Sequence, residues 1–441
     1  MPSLPVTLSL ALVTCVSSVT TSAAVEQRNE IFRVHSCTNQ SFFWRHNAAF
    51  RSGAALHISH GAQHDVLLVH GDENPATVDQ NYEKSSLAHL MNPPCTEPTQ
   101  EYYAPYTART MWRLMRTIEW THILHEATYD VLASPLVPWD QKSSQLKRMV
   151  DHYLTVNDVA LSCAPLDLVM RRASVMMKPY FSVFRTTYPR SNNFFYAAHW
   201  WHPAIYEAMM IGGNGQAQDA AVNEVEAIFK RDVLIKRPMR MLLSREVMPR
   251  YAQLSPESAN AFDNLHMLHG IVYDILAYQP WTVSEKHDEI YRVLEAMAYQ
   301  PGDERLARKF PLPHPEQDPR RYDDWMREGP GEMGRMMLEM HEEMMPPGDD
   351  PKSKAAHEKM IGILKDKLMP GRTGSEPAGS FMDATAMLMP EMPMPMSPAH
   401  MAGKSDPRMV KMMTDAWMAK ATAMADVPVY PMTTSATRAV K

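Results

Sequence analysis

The chain has 441 residues, 45% of them hydrophobic and 21% charged, with a formal net charge of −6. This length leaves room for two or three domains of ordinary size and for a large core. The acidic balance excludes an electrostatic footprint for nucleic acid, and the interspersed charges supply no basic run for an anionic membrane surface.

Residues 1–24, MPSLPVTLSLALVTCVSSVTTSAA, are apolar and then rich in small residues. They read as a secretory signal cleaved after Ala24, although no Lys or Arg precedes the apolar stretch. The expected location is therefore secreted or periplasmic. No later segment reads as a membrane span, since about 20 apolar residues are needed. Cys15 leaves with the signal. Cys37, Cys95 and Cys163 then allow at most one intramolecular bridge. Asn39-Gln40-Ser41 is a glycosylation sequon.

From there to about residue 300, apolar residues recur at helical spacing between short Pro-, Asn- and Gly-bearing breaks. Strand alternation is missing, so the predicted class is all-α. Within this region one pattern occurs twice. Residues 119–134 read EWTHILHEATYDVLAS and residues 263–278 read DNLHMLHGIVYDILAY. Pro138-Trp139 follows the first and Pro280-Trp281 the second. Upstream, His57-x-x-His60 with Asp65 matches His199-x-x-His202 with Glu207 at nearly the same offset. Three pieces in one order at one offset predict two tandem copies of a helical-bundle unit, residues 25–165 and 166–310, related by a pseudo-twofold axis.

At about 100° per residue, Glu119, His122, His125, Tyr129 and Asp130 share one helix face. Asp263, His266, His269, Tyr273 and Asp274 repeat that face. An acid and an imidazole three residues apart are how helical bundles present ligands to one metal. The predicted metal ligands are therefore His57, His60, Glu119, His122, His125 and Asp130 in the first copy. In the second they are His199, His202, Asp263, His266, His269 and Asp274. Imidazole and carboxylate together suit copper or iron, with zinc and manganese as further options. The pattern leaves open whether each copy holds its own ion or two ions meet on the pseudo-axis. His125-x₄-Asp130 and His269-x₄-Asp274 resemble one short element of hemerythrin-like bundles. The remaining elements of those bundles are missing at the required spacings, so no family follows.

Because Pro203 follows His202 and Gly61 follows His60, each His-x-x-His pair is expected to straddle a helix start. Tyr129, Tyr273, Trp120, Trp200 and Trp201 read as packing aromatics. Glu126 is a proton acceptor in principle. Gly270 replaces it in the second copy, which favours an exposed side chain.

After residue 300 the text turns rich in Pro, Met and charge. Residues 309–321 read as an extended linker. Short helices are predicted at 331–346, 353–369 and 407–425, with low-complexity, disordered chain at 370–404. Residues 311–441 are thus a Met/Pro-rich tail. Well over half of the 37 methionines lie beyond residue 325. Thioether sulfur selects copper(I); adaptable apolar filler is the plainer account of methionines on helices.

Three functions compete. The first is an exported copper- or iron-dependent oxidoreductase. The second is a non-catalytic copper-binding protein for sequestration or delivery, with the tail as first capture point. The third is a structural or storage protein whose histidines satisfy one another without metal. No nucleophile elbow, phosphate loop or paired zinc-finger cysteines point to other chemistry.

Overall fold

The computed structural model describes residues 38–211, 215–238, 241–307, 320, 322, 331–344 and 348–368. Residues 1–24, read above as a signal, Cys37, most of the expected linker and the predicted features of 369–441 lie outside the described residues. Among the described residues the chain is helical, apart from turns and one isolated bridge between Leu161 and Ala298. None of these helices is long and apolar enough to cross a membrane.

Eight helices build the body: α1 (Asn47–Val69), α2 (Pro75–Met91), α3 (Trp112–Ala133), α4 (Lys142–Leu154), α5 (Pro189–Ile211), α6 (Gln216–Ile228), α7 (Pro256–Ala277) and α8 (Val283–Met297). The four longest, α1, α3, α5 and α7, form the centre. Both α5 and α7 pack against both α1 and α3. The shorter helices cover this centre: α2 and α6 lie against α1 and α5, α4 against α3, and α8 against α7 and α3.

Local chemistry explains the helix ends. Asn74 caps α2 by accepting from the backbone N–H of Ala76 and Thr77, and Pro75 occupies its first turn. Thr282 and Glu285 form a reciprocal capping box at the start of α8. At the end of α3 the ammonium of Lys142 donates to the carbonyls of Val131, Leu132 and Ser134. Lys286 donates to the Leu276 carbonyl at the end of α7. Both cations sit where the helix dipole favours them.

Every residue of α5 from Phe194 to Met210 is buried. A helix buried all round belongs inside a core. Trp200 and Trp201 are fully buried there, as expected of packing aromatics. Pro203 lies inside α5, and His57, His60, His199 and His202 are all mid-helix. The expected helix starts at those pairs are therefore corrected. Proline removes one ladder bond from α5. Packing on all sides of the helix holds it together across that break.

The helices predicted at 331–346 and 353–369 are present as α9 (Gly331–Met344) and α10 (Pro351–Leu368). Met333, Met336, Met337 and Met340 of α9 are buried in the same apolar cluster as Leu168 and Val169. On this helix methionine is apolar filler, and those sulfurs are not an exposed copper-capture surface. Cys95 and Cys163 are free thiols, the first exposed and the second buried.

Candidate metal centre

Nine histidines project inward from the four central helices: His57, His60 and His64 from α1, His122 and His125 from α3, His199 and His202 from α5, His266 and His269 from α7. None is more than 4% exposed. Burying imidazoles at this density leaves few ordinary hydrogen-bond partners, and each buried polar group left unpaired costs on the order of 1–3 kcal/mol.

They fall into two adjoining groups. In the first, His57, His125 and His202 offer ligand nitrogens that all lie within 4.8 Å of one another. The His122 ring stacks on His57, with centroids 3.9 Å apart. In the second, the rings of His60 and His269 are 5.2 Å apart, those of His60 and His266 6.1 Å, and those of His266 and His269 6.4 Å. The His199 ring lies 4.4 Å from His266 at the edge of this group. His202 to His266, 5.6 Å, and His122 to His269, 5.9 Å, join the two groups.

Hydrogen bonds at Nδ1 fix how the first group faces inward. His202 places Nδ1 3.0 Å from the Ala198 carbonyl, which can only accept, so the proton is on Nδ1. His57 places Nδ1 2.9 Å from the Glu97 carboxylate. A carboxylate there calls for the proton on that nitrogen too. The Nε2 atoms of His57 and His202 face each other at 3.1 Å. With both protons on Nδ1, two Nε2 lone pairs face one another. His125 completes the group, its Nδ1 2.9 Å from the Tyr206 hydroxyl. Carboxylate, carbonyl or hydroxyl on the far nitrogen is the usual outer support of a metal-bound imidazole.

Burial, then neighbouring histidines, holds His202, His60 and His269 well below the ordinary imidazole range. Burial alone lowers His64 to about 3, and burial outweighs a Phe262 carbonyl bond to lower His266 to about 4. His60, His64, His202, His266 and His269 are thus neutral nitrogen donors, and the rings of Phe195 and Phe262 close over His60, His202 and His266.

No family model matches the chain, and comparison with curated proteins and with solved structures returned no similar protein.

The carboxylates expected beside these histidines are engaged elsewhere. Asp130 accepts from the backbone N–H of Gln40 and Phe42, and Asp274 from those of Ser182 and Phe184. Glu119 accepts from the Gln100 N–H, and Asp263 from the N–H and hydroxyl of Ser244. Each side chain ties a loop or short helix to its long helix. Asp130 and Asp274 thus serve as loop anchors in the structure. Asp263 lies near the cluster at His199, whose Nε2 is 3.9 Å away.

Three residues near the cluster were missed or misread in the sequence. Glu97, in the loop after α2, is 3% exposed and holds His57. His64 places Nε2 3.4 Å from Nδ1 of His269. Glu126, expected in solvent, has a side chain only 16% exposed, with a carboxylate oxygen 4.0 Å from Nδ1 of His57. Tyr129 and Tyr273 behave as packing residues with bonded hydroxyls, donating to the carbonyls of His202 and His60. A groove of about 620 Å³ between α1 and α2 is lined by Ile58, Ser59, Ala62 and Val66. Those positions lie on the face of α1 opposite His57, His60 and His64, so the groove is separate from the cluster.

Replacing Asp130 or Asp274 with Ala is expected to cost about 2–4 kcal/mol by stranding two backbone N–H groups. Chemical denaturation measures that loss. Metal content of the folded variants should equal that of the parent protein, and a drop would return these carboxylates to the ligand set.

Proposed function

We propose that this chain is an exported metalloprotein that holds a transition-metal ion on His57, His125 and His202 and uses it as an oxidoreductase. The observation that carries the reading is the 3.1 Å approach of the two Nε2 atoms of His57 and His202. Metal–nitrogen bonds of about 2.0–2.1 Å, meeting at roughly 100°, place two ligand nitrogens about that far apart. A shared proton is the competing account of that approach: burial opposes the imidazolium it would create, and the Glu97 carboxylate 2.9 Å from Nδ1 of His57 favours it.

Copper is the favoured ion. The inward donors are imidazole nitrogens, while Asp130 and Asp274 are bound to backbone. An all-nitrogen set suits copper or zinc better than manganese. Iron remains the second choice on one observation: Glu97 and Glu126 place carboxylate oxygens within 4.8 Å of a His57 nitrogen.

We further read residues 25–165 and 166–310 as copies of one unit. Support comes from paired anchors at matching positions. Asp65 accepts from Tyr106 and Thr107 N–H, and Glu207 from Arg250 and Tyr251 N–H. The pairs Asp130 and Asp274, Glu119 and Asp263, and Tyr129 and Tyr273 also make equivalent bonds. On this reading His64 and Tyr206 occupy one position, each supporting Nδ1 of the equivalent histidine, His269 or His125.

The test is elemental analysis of protein purified without added metal, followed by oxygen uptake with a reductant. Bound copper that drops in the double variant His125→Ala/His202→Ala is the expected result, with uptake lost in parallel. Copper bound without any oxygen uptake would favour sequestration or delivery. A folded protein that takes up no first-row metal would overturn the proposal.

A further inference from the structure

We propose that His60, His266 and His269 hold a second metal ion beside the first, so that the centre is dinuclear. This rests on the reading of His57, His125 and His202 as one metal position, and it adds a separate position with its own ligands.

The three rings come from two helices, α1 and α7, and none is more than 1% exposed. His266 directs Nδ1 to the Phe262 carbonyl, 3.0 Å away, so its Nε2 carries a lone pair. His269 sets Nδ1 against Nε2 of His64. Nε2 of His266, Nε2 of His269 and both ring nitrogens of His60 have no hydrogen-bond partner. Apolar rings close the surroundings: Phe195 lies 5.4 Å from His60, 6.1 Å from His266 and 6.4 Å from His269. A site with four unpartnered nitrogens and an aromatic wall is built for a cation that accepts nitrogen donors.

The spacing fits. Imidazoles bound to one ion at about 2.0–2.1 Å put their ring centroids roughly 5–6 Å apart. The 5.2 Å between His60 and His269 lies in that range, while the 6.1 and 6.4 Å to His266 exceed it, so binding one ion has to draw His266 inward. Copper and zinc are the ions such a donor set takes. His202 and His266 stand side by side across the boundary between the groups, which places the two ions as neighbours. His64 is a positioning residue here, since its own Nε2 faces the back of His269 and not the shared space.

The full-length protein should be loaded with copper without oxygen, then oxidised, and examined by elemental analysis and electron paramagnetic resonance. Two coppers per chain are expected, with a copper(II) signal that integrates well below the bound copper, or a half-field line, because neighbouring ions couple. His266→Ala and the more conservative His269→Asn should each bring the content to one copper and restore a full, uncoupled signal. Helicity by circular dichroism verifies that each variant is folded. One copper per chain with a full signal in the parent protein would overturn the second position while leaving the first. Absence of copper altogether would overturn the first.

Discussion

Acidification is expected to unfold the helical body steeply below about pH 6. Burial depresses His46 and His266 to about 4 and His64 to about 3, and it holds His60, His199, His202 and His269 well below 6.5. Unfolded, all seven titrate near 6.5. Between the folded and unfolded values the unfolded chain binds more protons, so this stability is present above 6.5 and drains as pH falls. Three buried carboxyl groups pull the other way. Burial raises Asp130 and Glu207 to about 7 and Asp274 to about 6. Their contribution is largest below the ordinary carboxylate range and is lost as pH rises through 6 to 7. Seven against three leaves a net of four protons near pH 5, each changing stability by about 1.4 kcal/mol per pH unit. A reserve of about 5–15 kcal/mol is then exhausted within roughly one to three units. Far-UV circular dichroism against pH measures the transition. Bound metal should move it to lower pH, since ligand nitrogens must be deprotonated to bind. A helical signal unchanged down to pH 4 would mean that these rings are solvated.

What could be read in the sequence, and what could not, divides along one physical line. His57, His60, His122, His125, His199, His202, His266 and His269 were legible because a helix converts spacing into a shared face, and a second occurrence of the spacing made chance a poor explanation. The all-helical class followed from the same periodicity. The loop-anchoring bonds of Asp130 and Asp274 were not legible, because a carboxylate on a histidine-bearing face looks identical in sequence whether it meets a metal or a backbone N–H. The difference lies in residues 38–42 and 181–184, which approach from far along the chain. Glu97 sits in an irregular loop with no periodicity to reveal it. His64 had no histidine at the matching offset, where Tyr206 stands. Only the contacts at Nδ1 of His269 and Nδ1 of His125 make the two comparable. Pro203 gave the wrong local signal: proline prefers the first turn of a helix, yet packing around α5 overrides that preference.

Removing metal with a chelator should lower the thermal midpoint by about 5–15 °C. An ion held at a hundred to a thousand times its dissociation constant stabilises the folded state by about 2.7–4.1 kcal/mol, and each kcal/mol moves the midpoint by about 2–4 °C at this size. The effect should be large here for a reason beyond mass action. Without an ion, the Nε2 atoms of His57 and His202 face each other at 3.1 Å across no metal, and the nitrogens of His60 stay buried without hydrogen-bond partners. Scanning calorimetry of chelated and reloaded protein measures the shift, and superimposable transitions would argue that the rings satisfy one another without metal. The order of metals adds a sharper criterion. Nitrogen donors alone should make copper the most stabilising ion, zinc next and manganese least. If manganese or iron(II) outranked zinc, then the carboxylates of Glu97 and Glu126, not the imidazole of His202, would be supplying the decisive ligands around His57.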